Sequence, residues 1–333
     1  MRENSPNLQS IFQENLYFLK RRELIQNIQD ELSKELSKKV SIAAYIANTL
    51  NPNLASAASM SLAHIAHVDD LIRTASGDDV EATALVIESF GGDATFPSAV
   101  IERARKYCKE FYVIVVNVAK SAATLLSIIS DKVIALETAS FGPVDPQLIV
   151  TTPQGVPQVV SAREFKDLIE KTLPEYVKNL TPVEKAAILA SQNYEIYQRA
   201  IDGINLVKEV IDTHLGPKFE QDQIKKIKAK LVDAPLSHGI NVTCGDLYEL
   251  GFSVISVKAN SVLGRMLLEY HRRALRGLMM ESPNGQGVIL FESERVSFQV
   301  VAQVVQQASA QTLTRPSPAK PAQGGQGATS SSG

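Results

Sequence analysis

A serine set between a strand-like run and a helix-like run is the residue in this sequence best placed to do chemistry. Residues 111–116 read Phe-Tyr-Val-Ile-Val-Val, a continuous apolar, β-branched run of the kind that fills a strand buried on both faces. Beyond Lys120 the composition turns to Ser-Ala-Ala-Thr-Leu-Leu-Ser-Ile-Ile, where alanine and leucine favour helix. The junction therefore falls at Ser121. A helix N-terminus offers unpaired backbone N–H groups and the positive end of the dipole, which favour an alkoxide or a tetrahedral oxyanion. The same position is where a serine caps a helix, and this segment alone leaves both roles open.

Two further features carry chemical potential. Residues 83–93 read Thr-Ala-Leu-Val-Ile-Glu-Ser-Phe-Gly-Gly-Asp, an apolar strand ending in Gly91 and Gly92. Adjacent glycines let a backbone turn through positive φ, approach a substrate closely and aim free N–H groups at it. Residues 140–147 read Ser-Phe-Gly-Pro-Val-Asp-Pro-Gln and follow the strand-like run 132–136. Pro143 and Pro146 stiffen this turn and bias Asp145 toward an extended conformation, a rigid placement that suits an orienting acid as well as a local turn.

The order and spacing of three blocks are specific: residues 89–93, residues 107–125 with their Lys-Ser-Ala-Ala-Thr core, and residues 141–147. They resemble the Clp-fold serine proteinases of the serine dehydrogenase proteinase family, relatives of the Clp protease and signal peptide peptidase A. A fourth block, Leu-Ser-His-Gly at 236–239 followed by Asp-Leu-Tyr-Glu-Leu-Gly-Phe at 246–252, resembles that family's histidine segment. The resemblance implies an α/β, Clp/crotonase-like fold with stacked parallel β-strands, flanking helices and helical additions. It further implies a serine peptidase with Ser121 as nucleophile, Asp145 as orienting carboxylate and His238 as general base. The N–H groups of Gly92 and Ala122 would bind the oxyanion, with Gly91 and Asp93 against the substrate. A serine hydroxyl needs such a set, because it is a poor nucleophile until a neutral imidazole takes its proton. Neither a metal nor a cofactor is expected. Where the family usually has proline before the glycine pair, this chain has Phe90. Signal peptide peptidase A uses a Ser-Lys dyad, which makes Lys166 and Lys171 alternative bases. Two other readings stand beside it: from the wider superfamily, an acyl-coenzyme A enzyme that stabilises an enolate, and, suggested by Phe90 and the open choice of acid and base, a non-catalytic oligomeric scaffold of the same fold.

The chain around these residues has 333 residues, 44% of them hydrophobic, enough for one large core. A net charge of −2 argues against a nucleic-acid surface. Cys108 and Cys244 have neither disulfide-framework nor metal-knuckle spacing and suit a reducing cytoplasm. No signal peptide and no integral membrane segment is read, so the partners expected are a polypeptide substrate and further copies of the chain. His64 and His67 share helical spacing without a third ligand and are assigned structural roles; His214 and His271 are assigned to the surface or to helix ends. The spacing predicts a helix over residues 21–39, with Leu24, Ile25, Ile28, Leu32 and Leu36 on one side. A hairpin is expected about residues 151–155, and helical periodicity runs over 162–231, with one apolar set at Ile188, Leu189, Tyr194, Ile196 and Tyr197. The organisation expected is an N-terminal helical segment (1–40), a proteinase domain (41–309) with a helical insertion at about 162–231, and a disordered tail (310–333).

Overall fold

The computed structural model describes residues 8–151, 155–184, 194–234, 241–282 and 286–302, with side chains from residue 18 onward, Pro157 excepted. His238, Ile188, Leu189 and the expected tail at 310–333 lie outside the described residues.

Four strands form a parallel core in sequence order: β1 (Val40–Ala47), β2 (Ala82–Ser89), β3 (Glu110–Ala119) and β4 (Lys132–Leu136). Helices α2 (Ile65–Ala75), α3 (Phe96–Tyr107) and α4 (Ala122–Ile129) make the three crossovers. Because the strands advance one way across the sheet, right-handed crossovers set all three helices on the same face. Every residue of β1 and β2 is buried, so the opposite face is covered as well. Helix α1 (Leu8–Leu36) and α10 (Val262–Met280), which pack on each other and on β1, supply that cover. The stripe predicted on α1 is what faces inward: Ile25, Ile28 and Leu32 are buried.

Strand β8 (Val254–Val257) extends the parallel sheet beyond β4, while β9 (Gly287–Ser293) and β10 (Ser297–Val301) add an antiparallel edge beside β1. The order is β10-β9-β1-β2-β3-β4-β8, with the short β5 (Ser140–Phe141) pairing the end of β3. This is a mixed α/β fold with a parallel-rich sheet and flanking helices. A separate hairpin, β6 (Gln147–Thr151) and β7 (Pro157–Ser161), stands where the turn was predicted. It leads into α5 (Ala162–Asp167), a short α6 (Leu173–Tyr176), α7 (Tyr194–Leu215) and α8 (Gln221–Leu231), and α9 (Cys244–Glu249) precedes β8. Ser121, the glycine pair and Asp145 all follow the C-terminal ends of β2, β3 or β5, the end of a parallel sheet where loops converge.

Candidate active site

Ser121 is the N-cap residue of α4, yet its hydroxyl makes no capping bond. Its backbone is at φ 48° and ψ −117°. Elsewhere in the chain Ser161 and Ser261 occupy the equivalent helix position at φ −67° and bond the N–H of Glu164 and Gly264. Ser121 therefore departs from the relaxed cap that this sequence builds elsewhere. A non-glycine residue in that region is strained by ~1–3 kcal/mol and persists only where its surroundings over-determine it. The turn presents the hydroxyl outward at the junction of strand and helix.

Gly91 sits against this elbow. A Cβ added to it would lie 2.6 Å from the Lys120 carbonyl oxygen, 2.8 Å from Ser121 Cβ and 3.0 Å from the Ala122 nitrogen, and its φ is 101°. Gly92 makes a parallel bridge to Met60, and a Cβ there would meet the Met60 backbone at 2.2 Å. The bridge uses the Gly91 carbonyl, which accepts from Met60 N–H, and the Asp93 N–H, which donates to the Met60 carbonyl. Neither the Gly92 nor the Ala122 N–H makes a hydrogen bond among the described residues. These are the two donors expected for an oxyanion.

Strand β3 is bulged just before the elbow. Between the pairs Ile87↔Val115 and Ser89↔Ala119, β2 contributes Glu88 alone while β3 contributes Val116, Asn117 and Val118. The buried Glu88 carboxylate fills the gap, accepting from the Val118 N–H at 3.0 Å, Asn117 Nδ2 at 2.8 Å and Thr49 Oγ1 at 2.9 Å. His271 Nε2 lies 3.1 Å from Glu88 Oε2, close but without hydrogen-bond geometry. This corrects the surface role expected for His271, which is buried under the site because α10 carries it inward. His214 is likewise half-buried, its Nε2 2.8 Å from Ser98 Oγ. His64 and His67 join the aromatic cluster of Tyr45, Phe291 and Phe298.

Asp145 is buried in the turn between β5 and β6. Its carboxylate accepts from the Arg163 N–H at the start of α5, at 3.4 Å, and from Gln147 Nε2, at 3.3 Å. The turn is tied to the nucleophile helix through Thr124, whose Oγ1 accepts from the Gly142 N–H at 3.0 Å. Each of the lysines is engaged with other partners. Lys166 is paired with Glu170 at 2.8 Å, and that hydrogen bond holds its pKa above the usual value. Lys171 is paired with Asp167. Lys120 is partly desolvated, which lowers its pKa, but its Nζ donates to Ser140 Oγ, the Phe141 carbonyl and Asn241 Oδ1.

Ser121, Gly91, Gly92 and Asp93 open onto a cleft of about 740 Å³. One wall is Phe90, 55% exposed; another is the hairpin, where the cross-strand neighbours Ile149 and Val159 are exposed. Asp93, the charged residue of this lining, spends Oδ1 on the N–H and hydroxyl of Thr95. Glu88, Lys120, Thr124 and Asn241 were not singled out for the site from sequence. The signal was there for Glu88, a carboxylate within a run otherwise apolar enough to be buried on both faces.

The model of the family described as ClpP-like SDH-type serine proteinase matches residues 60–277. An uncharacterized protein of Methanocaldococcus jannaschii is 27% identical over 192 residues, 58% of this chain and 59% of that protein. The match thus spans about three-fifths of the length of that curated relative. Among solved structures, a mutant of the 1510-N membrane-bound stomatin-specific protease in complex with a substrate peptide is similar at 16% identity, covering 69% of this chain and 78% of that one, with a TM-score of 0.37. ClpP1 from Listeria monocytogenes is similar at 11% identity over 68% and 96% of the respective chains, with a TM-score of 0.35. Among the described residues no helix is long and apolar enough to cross a membrane.

Proposed function

Because the chain belongs to the ClpP-like SDH-type serine proteinase family, we propose that it hydrolyses peptide bonds in polypeptides through an acyl-enzyme on Ser121. The observation that carries this reading is the strained elbow: a serine at positive φ whose hydroxyl leaves its helix uncapped. In the mechanism, Ser121 Oγ attacks the scissile carbonyl as His238 takes its proton, and Asp145 orients the imidazole and offsets its charge. The developing oxyanion accepts from the Gly92 and Ala122 N–H groups at the positive end of α4. Collapse of the tetrahedral intermediate expels the amine, which takes the proton from His238, and water repeats the sequence to release the acid.

Described residues next to His238 support its part. Asn241, three residues on, is bonded by Lys120, the neighbour of Ser121, and Val242 bridges Phe141. Three residues reach at most about 11 Å. The exposed Ile149, Val159, Tyr176 and Val183 support assembly with further copies of the chain. Enolate chemistry on an acyl-coenzyme A needs an oxyanion hole but no nucleophile, and it gives no reason for a strained serine.

The test is a fluorophosphonate probe. Labelling of the wild-type chain that is abolished in Ser121→Ala is the expected result, and equal labelling of both proteins sinks the assignment.

A further inference from the structure

We propose that Lys120 and Thr124, which flank Ser121 in sequence, are positioning residues that lace the serine elbow to the turn carrying Asp145; the inference rests on the peptidase reading above. The lysine is used unusually. Its three ammonium protons meet three neutral acceptors, Ser140 Oγ at 2.6 Å, the Phe141 carbonyl at 2.7 Å and Asn241 Oδ1 at 2.7 Å. Among the described residues it has no carboxylate within ion-pair distance. Every ammonium proton is thus committed to joining the elbow to β5 and Asn241.

Its stem crosses the backbone of Gly142, where an added Cβ would lie 2.6 Å from Lys120 Cδ. From the α4 side, buried Thr124 Oγ1 takes the Gly142 N–H at 3.0 Å and donates to the Ala119 carbonyl at 2.7 Å. Gly142 is thus held by residues on both sides of Ser121 in the sequence. Between it and Asp145 stand only Pro143 and Val144, and the Val144 N–H is fixed to the Leu231 carbonyl at 2.8 Å. Proline fixes one backbone angle, so a shift at Gly142 is passed on to the carboxylate rather than absorbed.

The experiment compares full-length wild type with Lys120→Met, Thr124→Val and Thr124→Ser. The rate of fluorophosphonate labelling at Ser121 is measured across pH, and hydrogen exchange is followed at the Gly142 amide. Lys120→Met and Thr124→Val should slow labelling by about 100-fold, the cost of a misplacement near 1 Å. Thr124→Ser, which keeps the hydroxyl, should label like wild type. In Thr124→Val, which leaves the charge of Lys120 in place, the acid limb of the rate profile should move to lower pH, because a base that loses its carboxylate partner titrates lower. Exchange at Gly142 should quicken in Thr124→Val and stay unchanged in Thr124→Ser. Wild-type labelling rates in Lys120→Met and Thr124→Val, or equal slowing in Thr124→Val and Thr124→Ser, would overturn the proposal. Unchanged Gly142 exchange in Thr124→Val overturns it whether or not Ser121 labels, whereas a wild-type chain that never labels refutes only the peptidase reading.

Discussion

Replacing Ser121 by glycine should destroy the chemistry and stabilise the fold relative to Ser121→Ala. The backbone at φ 48° and ψ −117° costs a residue bearing Cβ ~1–3 kcal/mol. Alanine keeps that strain and loses no cap, since the serine hydroxyl makes no capping bond. Glycine removes the strain but adds freedom to the unfolded chain, which costs about 0.5–1 kcal/mol against alanine at an ordinary position. The difference leaves glycine at or above alanine by roughly 0–2.5 kcal/mol. A helix interior would give the opposite order, whereas a relaxed N-cap also favours glycine over alanine, so the refuting result is alanine ahead of glycine. Urea denaturation of both variants measures the difference, and fluorophosphonate labelling should be absent in each. A glycine variant less stable than the alanine variant by about 0.5 kcal/mol or more would show that Ser121 is unstrained and remove the main support for its role.

Gly91→Ala forces a Cβ to 2.6 Å from one backbone atom and 3.0 Å from another; relief moves the oxyanion donors, so labelling should fall about 10²–10³-fold. Gly155→Ala is its control, because φ is 78° there too but no atom lies within 4 Å, and labelling should not change. Arg21→Met leaves Glu292 buried without the partner that now donates from Nε at 2.9 Å, which should cost ~3–5 kcal/mol in urea denaturation. Burial alone would raise the Asp131 pKa, but bonds from Arg105, the Phe111 N–H and Lys218 hold it below the ordinary value. The carboxylate therefore stabilises the fold above its unfolded pKa, and that stability is lost as pH falls through the folded value. Asp131→Asn should cost about 1.5–3 kcal/mol at neutral pH, and the gap to wild type should close in acid.

The parts of this protein legible in sequence are those whose signal is local. The change from β-branched residues to alanine and leucine marks Ser121 as a junction, and the three- and four-residue spacing of Ile25, Ile28 and Leu32 marks the buried side of α1. Strand β1 escaped, because three alanines dilute the β-favouring Val, Ile and Tyr of Val-Ser-Ile-Ala-Ala-Tyr-Ile-Ala, and neighbours on both edges hold it as strand. Those edges come from residues 82–88 and 289–293, and no local pattern announces a pairing across such separations. His271 was misjudged for a related reason: α10 places it beside Glu88, nearly two hundred residues away in the chain.

What holds the elbow in place also explains why so polar a residue as Glu88 is buried beneath it. The bulge in β3 lies just before the turn into α4 at Ser121, and it leaves the Val118 N–H without a backbone partner in β2. An orphaned buried N–H costs ~1–3 kcal/mol, about the strain of Ser121 itself. Glu88 removes that cost with one oxygen and uses the other on Asn117 and Thr49, the latter a wall of the cleft. A glutamine there could accept on one oxygen only, would set its amide nitrogen against a donor, and would lack the charge that strengthens these bonds. One buried carboxylate thus offsets the expense of the bulge and couples the cleft wall to the strand that aims the serine. The geometry of the reactive residue is therefore set by the sheet beneath it as much as by the glycines beside it.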